Sequence, residues 1–512
     1  MEMGLHIAVI SNIIFEPYFV PLTKRLFGEN TVVLPIPFGD HTEDKYLTQL
    51  TSTDLIVVWL NIEALLPEQF YSLAKQDLDE TIALCKRLYA DLTSISHVKI
   101  LWFLFEDYAI PLSVAVGHVY HDFVDKLNLA LKDTLGAQVL FIDLKHLIAE
   151  IGISNAFDSK GKYRWNAPYS KTLVEAAVKE IHKQYLIEKG ITKKCLILDC
   201  DNVLWGGILS EDGIENLKLG GSGLGRVYQN FQRFVLFLYY HGVILAICSK
   251  NDLSDVSTMF HKHSEMLLKE EHIAYFQVNW EDKPGNIQKI AEKLNIGLDS
   301  MVFVDDSPAE IEAVKALLPE VTAILFKRDI KYEQFSCLNL NSIVNRVDIK
   351  KRNESYRTNG FREELKAKYT DYADYIAALE IKMDIHEAAP IEFSRISELT
   401  QRTNKCTNGR RYTVTEIKER ITSATVKLYS VSVSDLFSDL GLVGAIEIEG
   451  DALTLFSLSC RALGREIERK IIGFISDKFQ IQKIEFKTTG KNESVKMMLK
   501  GAFPNAFFFE NV

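Results

Sequence analysis

Apolar and polar positions fall into three regimes along the chain. From Leu5 to about Tyr185, the short apolar runs HIAVIS, TDLIVVWL, VKILWFLF and AQVLFIDL alternate with longer amphipathic stretches. Continuously apolar runs of this length suit strands buried on both faces, and their alternation with helical periodicity predicts a parallel sheet covered by helices. A basic joint, EKGITKK, closes this regime. The alternation restarts with CLILD, VILAICS, AYFQVNW, SMVFVDD and TAILF and runs to about Phe326. Next, KRDIKYEQFSCLNLNS loses the strand pattern, and VNRVDIKKRNESYRTNGFREELKAKY reads as a charged, solvated connecting helix. From about Ala377, the strands VKLYSVSV, LVGAIEIE and ALTLFSLSC precede a helix from Gly464 to Lys478. The pattern thus predicts α/β domains over 1–190 and 191–345, a helical linker over 346–376 and an α+β domain over 377–512.

Composition narrows the setting. Hydrophobic residues make up 47% of the 512, and mean hydropathy is near zero, so each region can bury a core. A net charge of −10, with no basic run interleaved with aromatics, argues against nucleic acid as a partner. The seven cysteines (Cys85, Cys195, Cys200, Cys248, Cys337, Cys406 and Cys460) form no C-x-x-C pair. They suggest neither a disulfide framework nor a zinc knuckle, and they fit a reducing cytosol. MEMGLHIAVISN lacks the basic flank and apolar core of a signal peptide, and no run approaches membrane-spanning length. The expectation is a soluble cytoplasmic protein with no membrane partner.

The chemistry gathers in the second region. Asp199 and Asp201 stand one residue apart directly after Cys195-Leu196-Ile197-Leu198. That places two carboxylates at the C-terminal end of a strand, the edge where open α/β sheets bind ligands. Asn202 and Gly206-Gly207 allow the chain to turn there. Acids also end strands merely because the next residue is solvated, so other signals must decide. Three more features reach the same edge. VILAICSKND puts Ser249 at a strand end, EDKPGN puts Lys283 at a helix start, and SMVFVDDSPAE ends in Asp305 and Asp306 before a capping Ser307-Pro308. A hydroxyl and a lysine at a helix N-terminus both attract phosphate. Four acids on one edge repel one another unless a cation intervenes, and hard oxygen ligands select Mg²⁺.

The order D-x-D, Ser, Lys, D-D along one sheet resembles the haloacid dehalogenase superfamily. More narrowly, DCDNVLWGGILSEDG, LAICSKND, NWEDKPGNI and VFVDDSPAEIEAV are similar to its FkbH-like branch, which loads glyceryl units onto acyl carrier proteins in polyketide-type biosynthesis. The resemblance extends to ELTQRTNKCTNGRRYT, DLGLVGAIEIE and LFSLSCRALGREIE, in a region that is acetyltransferase-like in that family. Cys200 and Val203 replace the more usual Leu and Thr of the first motif, and KCTNG departs from an NQFN-like pattern. The resemblance implies a nucleophile and Mg²⁺ ligand at Asp199 and, at Asp201, an acid/base that is also counted among the metal residues. It also implies Asp305 and Asp306 completing the metal site, with Ser249, Lys283 and Asn202 holding phosphate. Its implied donor is 1,3-bisphosphoglycerate, a phosphorylated three-carbon molecule, and its implied partner is an acyl carrier protein. Thr403, Asn404 and Arg411 match family positions without an assigned role.

Attack by an aspartate on the acyl phosphorus would release free glycerate, whereas a thiolate attacking carbon keeps the acyl group as a thioester. A cysteine should therefore take it. Cys460 in SLSCRALGRE ends a strand before R-x-x-G, similar to a pantetheine-binding loop of acetyltransferase folds, with Arg461, Gly464 and Arg465 following. Those arginines add cations expected to lower a thiol pKa and to receive an acidic carrier. Cys248 is the alternative, though strand alternation points it away from the side that Ser249 faces. In the first region, Ser11 and Asp143-x-x-His146 resemble the serine and D-x-x-H of SGNH-type hydrolases. The Gly and Asp that precede that serine are missing, and Asp143 as a helix cap is the plainer reading, so an SGNH-like docking or structural domain is expected. Plain phosphohydrolysis without acyl transfer stands as the alternative activity.

Overall fold

The computed structural model describes residues 5–510 except 69–72, 97, 109–118, 137–138, 222, 339 and 341–345. Ala137 and Gln138, which open the fourth expected strand, lie outside the described residues, as does the chain just before the expected boundary at 345/346. The protein is mixed α/β, with two all-parallel sheets and one mixed sheet. It divides into two compact units, Met1–Leu186 and Ile187–Val512.

The first unit holds β1 (His6–Ser11), β2 (Val32–Pro37), β3 (Leu55–Trp59), β4 (Ile100–Phe103) and β5 (Val139–Ile142), in the order β2-β1-β3-β4-β5. Alternate residues of β1 enter two apolar layers. Ile7 and Val9 pack with Phe19, Trp59 and Phe103, while Ala8 and Ile10 pack with Leu88, Trp102 and Leu127. Burial on both faces is why these strands read as unbroken apolar runs.

The second unit carries the other two sheets. β6 (Cys195–Leu198), β7 (Ile244–Ser249), β8 (Ile273–Val278), β9 (Met301–Asp305) and β10 (Thr322–Leu325) lie in the order β10-β9-β6-β7-β8, all parallel. β6 is central, so its C-terminal end falls between those of β7 and β9. The third sheet has β11 (Lys382–Glu387), β12 (Val426–Ser434), β13 (Asp439–Glu449) and β14 (Ala452–Leu458) antiparallel in sequence order. β15 (Lys483–Phe486) and β16 (Phe507–Glu510) then join in parallel.

Four strands escape the hydrophobic pattern. β2 contains Pro35 and Pro37 and β11 alternates with charged residues; both are edge strands, where lost donors and polar faces are tolerated. β15 and β16 are four residues each, too short for a period to register.

The linker corrects the sequence reading. Its helices, Arg346–Arg357 and Asn359–Lys366, are not solvated throughout: Arg352, Asn353, Ser355 and Arg362 are all buried. Asn353 donates to the carbonyls of Glu271 and His272 beside β8, at 3.2 and 2.8 Å. Arg362 forks onto Asp435, between β12 and β13, at 2.8 and 2.9 Å. Asn353 and Arg362 face inward because each finds a polar partner beside one sheet or the other, so the segment is a polar wedge tying the two sheets together.

The Asp435 side chain is fully buried. Burial raises its pKa, but Arg362 and then Arg465 bring it below the usual value. A lowered carboxylate pKa stabilises the fold above about pH 4, and that gain is lost as pH falls through the folded value. Arg362→Leu is therefore expected to cost about 3–5 kcal/mol in urea melts at pH 7. The gap to wild type should narrow below about pH 4.

Candidate active site

The β6 backbone ends at Leu198, and the main chain carries Asp199 straight into the space between β7 and β9. Asn202, at φ +54°, takes the left-handed turn that Asn tolerates, and its Oδ1 accepts from Gly207 N at 3.0 Å. β9 delivers Asp305 at its last residue, and Asp306 follows. One carboxylate oxygen from each of Asp199, Asp305 and Asp306 lies within 4.8 Å of the others. Burial, followed by repulsion from Asp199, pushes Asp305 up to about 6 and raises Asp306.

Lys283 supplies the countercharge. It is the first residue of the Lys283–Leu294 helix, fixed there by Asp282, whose Oδ1 accepts from Gly285 N at 2.8 Å. Its Nζ sits 2.7 Å from Asp199 Oδ1 and 3.2 Å from Asp305 Oδ2, and it donates to the Cys248 carbonyl at 2.7 Å. Burial pulls its pKa down, yet the carboxylates, Asp199 first, raise it beyond the ordinary lysine value. One ammonium still faces three carboxylates. Asp305 Oδ2 is buried and, although near Lys283, accepts no hydrogen bond of proper geometry. An orphaned buried carboxylate oxygen inside a three-acid cluster is the donor set of a hard divalent cation.

Asp201, expected among the ligands, is placed differently. Its Oδ1 accepts from Trp205 Nε1 at 2.8 Å and Leu209 N at 3.1 Å, and its Oδ2 from Asn251 Nδ2 at 3.0 Å. Its carboxylate is not one of the three that gather. Burial raises its pKa against these donors. Ser249 is buried at the end of β7, where its Oγ accepts from Asn251 Nδ2 at 3.1 Å. Asn251 therefore joins two predicted residues. It stands two positions after Ser249 in SKND, but nothing in that string distinguishes it from an ordinary loop asparagine.

The two cysteines differ in surroundings. Cys248 is fully buried in the apolar layer with Ile197, Ala246 and Ile287, and burial pushes its thiol up to about 12. Such a thiol is inert. Cys460 follows β14 and is half-buried, lining a pocket of ≈ 110 Å³. The residues after it go separate ways. Arg461 is buried and donates to the Leu442 carbonyl at 3.4 Å, the Gly464 carbonyl accepts from Tyr372 Oη at 2.6 Å, and Arg465 lies 3.7 Å from Asp435. Arg411 donates to Asn404 Oδ1 at 2.6 Å and to the Lys189 carbonyl at 3.2 Å, while Thr403 is buried. Arg411 and Asn404 are thus engaged in joining the third sheet's helical layer to the chain before β6.

In the first unit Ser11 donates to the Trp59 carbonyl at 2.8 Å, and Asp143 caps its helix by accepting from His146 N at 3.2 Å. The His146 ring is exposed beside Glu150. No helix among the described residues is long and apolar enough to cross a membrane.

The fold has a counterpart among solved structures. The chain is similar to the N-terminal part of the protein BF1531 from Bacteroides fragilis, which contains a phosphatase domain and was crystallised in complex with Mg. Identity is 26%, the TM-score is 0.57, and the match covers 66% of this chain and 93% of that one. A HAD family enzyme from Bacteroides thetaiotaomicron, in complex with magnesium and inorganic phosphate, matches 28% of this chain and 98% of its own at 12% identity and a TM-score of 0.22. That second match is too distant to carry an argument. No protein-family model matches the sequence, and no curated protein does.

Removing Lys283 tests the charge balance. Lys283→Met is expected to cost the metal-free protein about 3–5 kcal/mol, because two buried carboxylates lose their cation. An added divalent cation should recover part of that loss in thermal melts. Equal stability of variant and wild type would show that the cluster is not ionised as described.

Proposed function

We propose that this chain is a Mg²⁺-dependent phosphoryl-processing enzyme of the haloacid dehalogenase type that transfers a glyceryl group from 1,3-bisphosphoglycerate to an acyl carrier protein. The observation that carries the phosphoryl half is the Asp199–Asp305–Asp306 cluster with Lys283 against it, at the C-terminal edge of a parallel sheet. The likeness to BF1531, a phosphatase-domain protein bound to Mg, supports it. Asp199, Asp305 and Asp306 would hold the ion, which supplies charge neutralisation for phosphoryl oxygens.

Asp199 attacks phosphorus, and the bond from phosphorus to the substrate's ester oxygen breaks. That oxygen takes the proton held on Asp201. Water then attacks the aspartyl phosphate, gives its proton to Asp201, and leaves inorganic phosphate with Asp199 restored. Lys283 neutralises the attacking carboxylate's surroundings throughout.

The acyl half rests on the resemblance of the third region to the FkbH-like branch and on Cys460 lining a pocket while Cys248 is sealed in the core. The Cys460 thiolate attacks the acyl carbonyl, the carbon–oxygen bond to phosphate breaks, and phosphate leaves. The carrier's thiolate then displaces Cys460 from the thioester. In this reading the first unit is an SGNH-like docking or structural domain, with Ser11 and His146 engaged elsewhere, and the third region is acetyltransferase-like. Hydrolysis of a small phosphoester without acyl transfer is the second reading, and the same acidic cluster supports it.

Incubation with the bisphosphoglycerate, Mg²⁺ and a carrier, followed by mass measurement of both intact proteins, separates these readings. Asp199→Asn should lower phosphate release by roughly a thousandfold or more. Chelation of Mg²⁺ should abolish it reversibly. Without carrier, a hydroxylamine-labile adduct is expected on the Cys460 peptide and should vanish in Cys460→Ala. An adduct on Cys248 would overturn the thiol assignment, and phosphate release with no adduct and no loaded carrier would leave only the phosphatase.

A further inference from the structure

The pocket beside Cys460 lies at the opposite edge of the middle sheet from the acidic cluster. Its floor includes Lys194, Ile244 and Ser300, which stand at the N-terminal ends of β6, β7 and β9. Lys194 and Asp199 are five residues apart along an extended strand, about 16 Å at 3.3 Å per residue. Whatever binds beside Cys460 therefore does so apart from Asp199.

The charges there do not balance. Glu398 is the carboxylate at the centre, and Arg395, Arg402 and Arg352 all turn to it. Arg402 Nη1 is 3.3 Å and Arg352 Nη1 3.7 Å from its Oε1, while Arg395 pairs with Oε2. Burial would raise Glu398, but Arg395, Arg402 and Arg352 hold it down at about 2. One carboxylate thus serves three guanidinium groups, with Lys194 adding a further cation whose Nζ donates to the Arg402 carbonyl at 2.6 Å. Burial and then the neighbouring cations depress Lys194 to about 8 and Arg352 to about 10.

Arg352 is 6% exposed, lines the pocket, and has no hydrogen-bond partner at Nε or Nη2 among the described residues. Arg461, also 6% exposed and outside the pocket lining, has none at Nε or Nη1. Two buried guanidinium groups with unpaired donors, in a region of excess positive charge, carry a cost that an acceptor of negative charge would relieve. Guanidinium forks match the oxygens of phosphate.

We propose that this pocket is a second anion site, which binds a phosphate group through Arg352 beside the Cys460 thiol. The phosphate comes either from the acyl phosphate donor, as the group that leaves when Cys460 attacks, or from the phosphopantetheine arm of the carrier. The anion site stands on the geometry; the choice between these two sources rests on the transfer reading above.

Alkylation of Cys460 by iodoacetamide, followed by mass spectrometry, reads the site directly in the full-length protein. Cys337, also half-buried, serves as the internal reference. Chelator is present throughout, so no metal holds phosphate at Asp199. Millimolar inorganic phosphate should slow Cys460 alkylation by about fivefold or more while leaving Cys337 unchanged. Chloride at equal ionic strength should not protect. Arg352→Met should raise the phosphate concentration for half-protection by about tenfold or more, with Arg352→Lys in between. Protection should persist in Asp199→Asn. Tighter protection by phosphopantetheine than by 3-phosphoglycerate assigns the pocket to the carrier arm, and the reverse order assigns it to the donor. Absence of protection in the wild type overturns the site whether or not Arg352→Met folds, as does equal protection in wild type and a folded Arg352→Met. Because these arms need no turnover, they report on the pocket even where the adduct experiment fails.

Discussion

A parallel sheet has a direction, and the acidic cluster of the second unit is placed by it. All five strands of the middle sheet run the same way, so their C-terminal ends converge on one edge and their N-terminal ends on the other. The acids Asp199, Asp305 and Asp306 collect at the first edge, around Lys283. Lys194 begins the chain of cations at the second. Both faces of the sheet are sealed by apolar layers, so the two edges are the places left for polar chemistry. Each edge gathers like charges beyond what its own countercharges offset, which is a costly arrangement for a protein with no ligand.

The acidic edge was legible in the sequence because a strand end is a local property. An apolar run followed by acids, a hydroxyl or a helix-starting lysine states both the element and the position on it. Asp199, Ser249, Lys283 and Asp305 could be read this way one at a time. The turning of Asp201 onto Trp205 and Asn251 could not, because it depends on side chains meeting across a loop. The cationic pocket was harder still. Its parts come from Lys194, Arg352, Glu398 and Cys460, which no periodicity connects. The i, i+3 and i, i+4 spacings of Arg395, Glu398 and Arg402 are visible in the string, but such spacing ordinarily marks an exposed helix face.

The linker misled for a related reason. A stretch as charged as VNRVDIKKRNESYRTNGFREELKAKY is solvated in most proteins, and hydropathy alone says so. Here Arg352, Asn353 and Arg362 each meet a buried acceptor supplied by another part of the chain. Burial of polar groups is decided by their partners, and those partners lie as far as 82 residues away in sequence.

That wedge also bears on how the protein can be taken apart. Its helices satisfy backbone carbonyls beside β8 with one residue and a buried carboxylate beside β13 with another. A chain severed after Phe326 or before Ala377 would part Asn353 or Arg362 from its partner and expose the polar groups each one covers. Genetic dissection, domain shuffling and recombination through this stretch would all meet the same obstacle. The stability of the middle sheet and that of the third are thereby linked through Asn353 and Arg362.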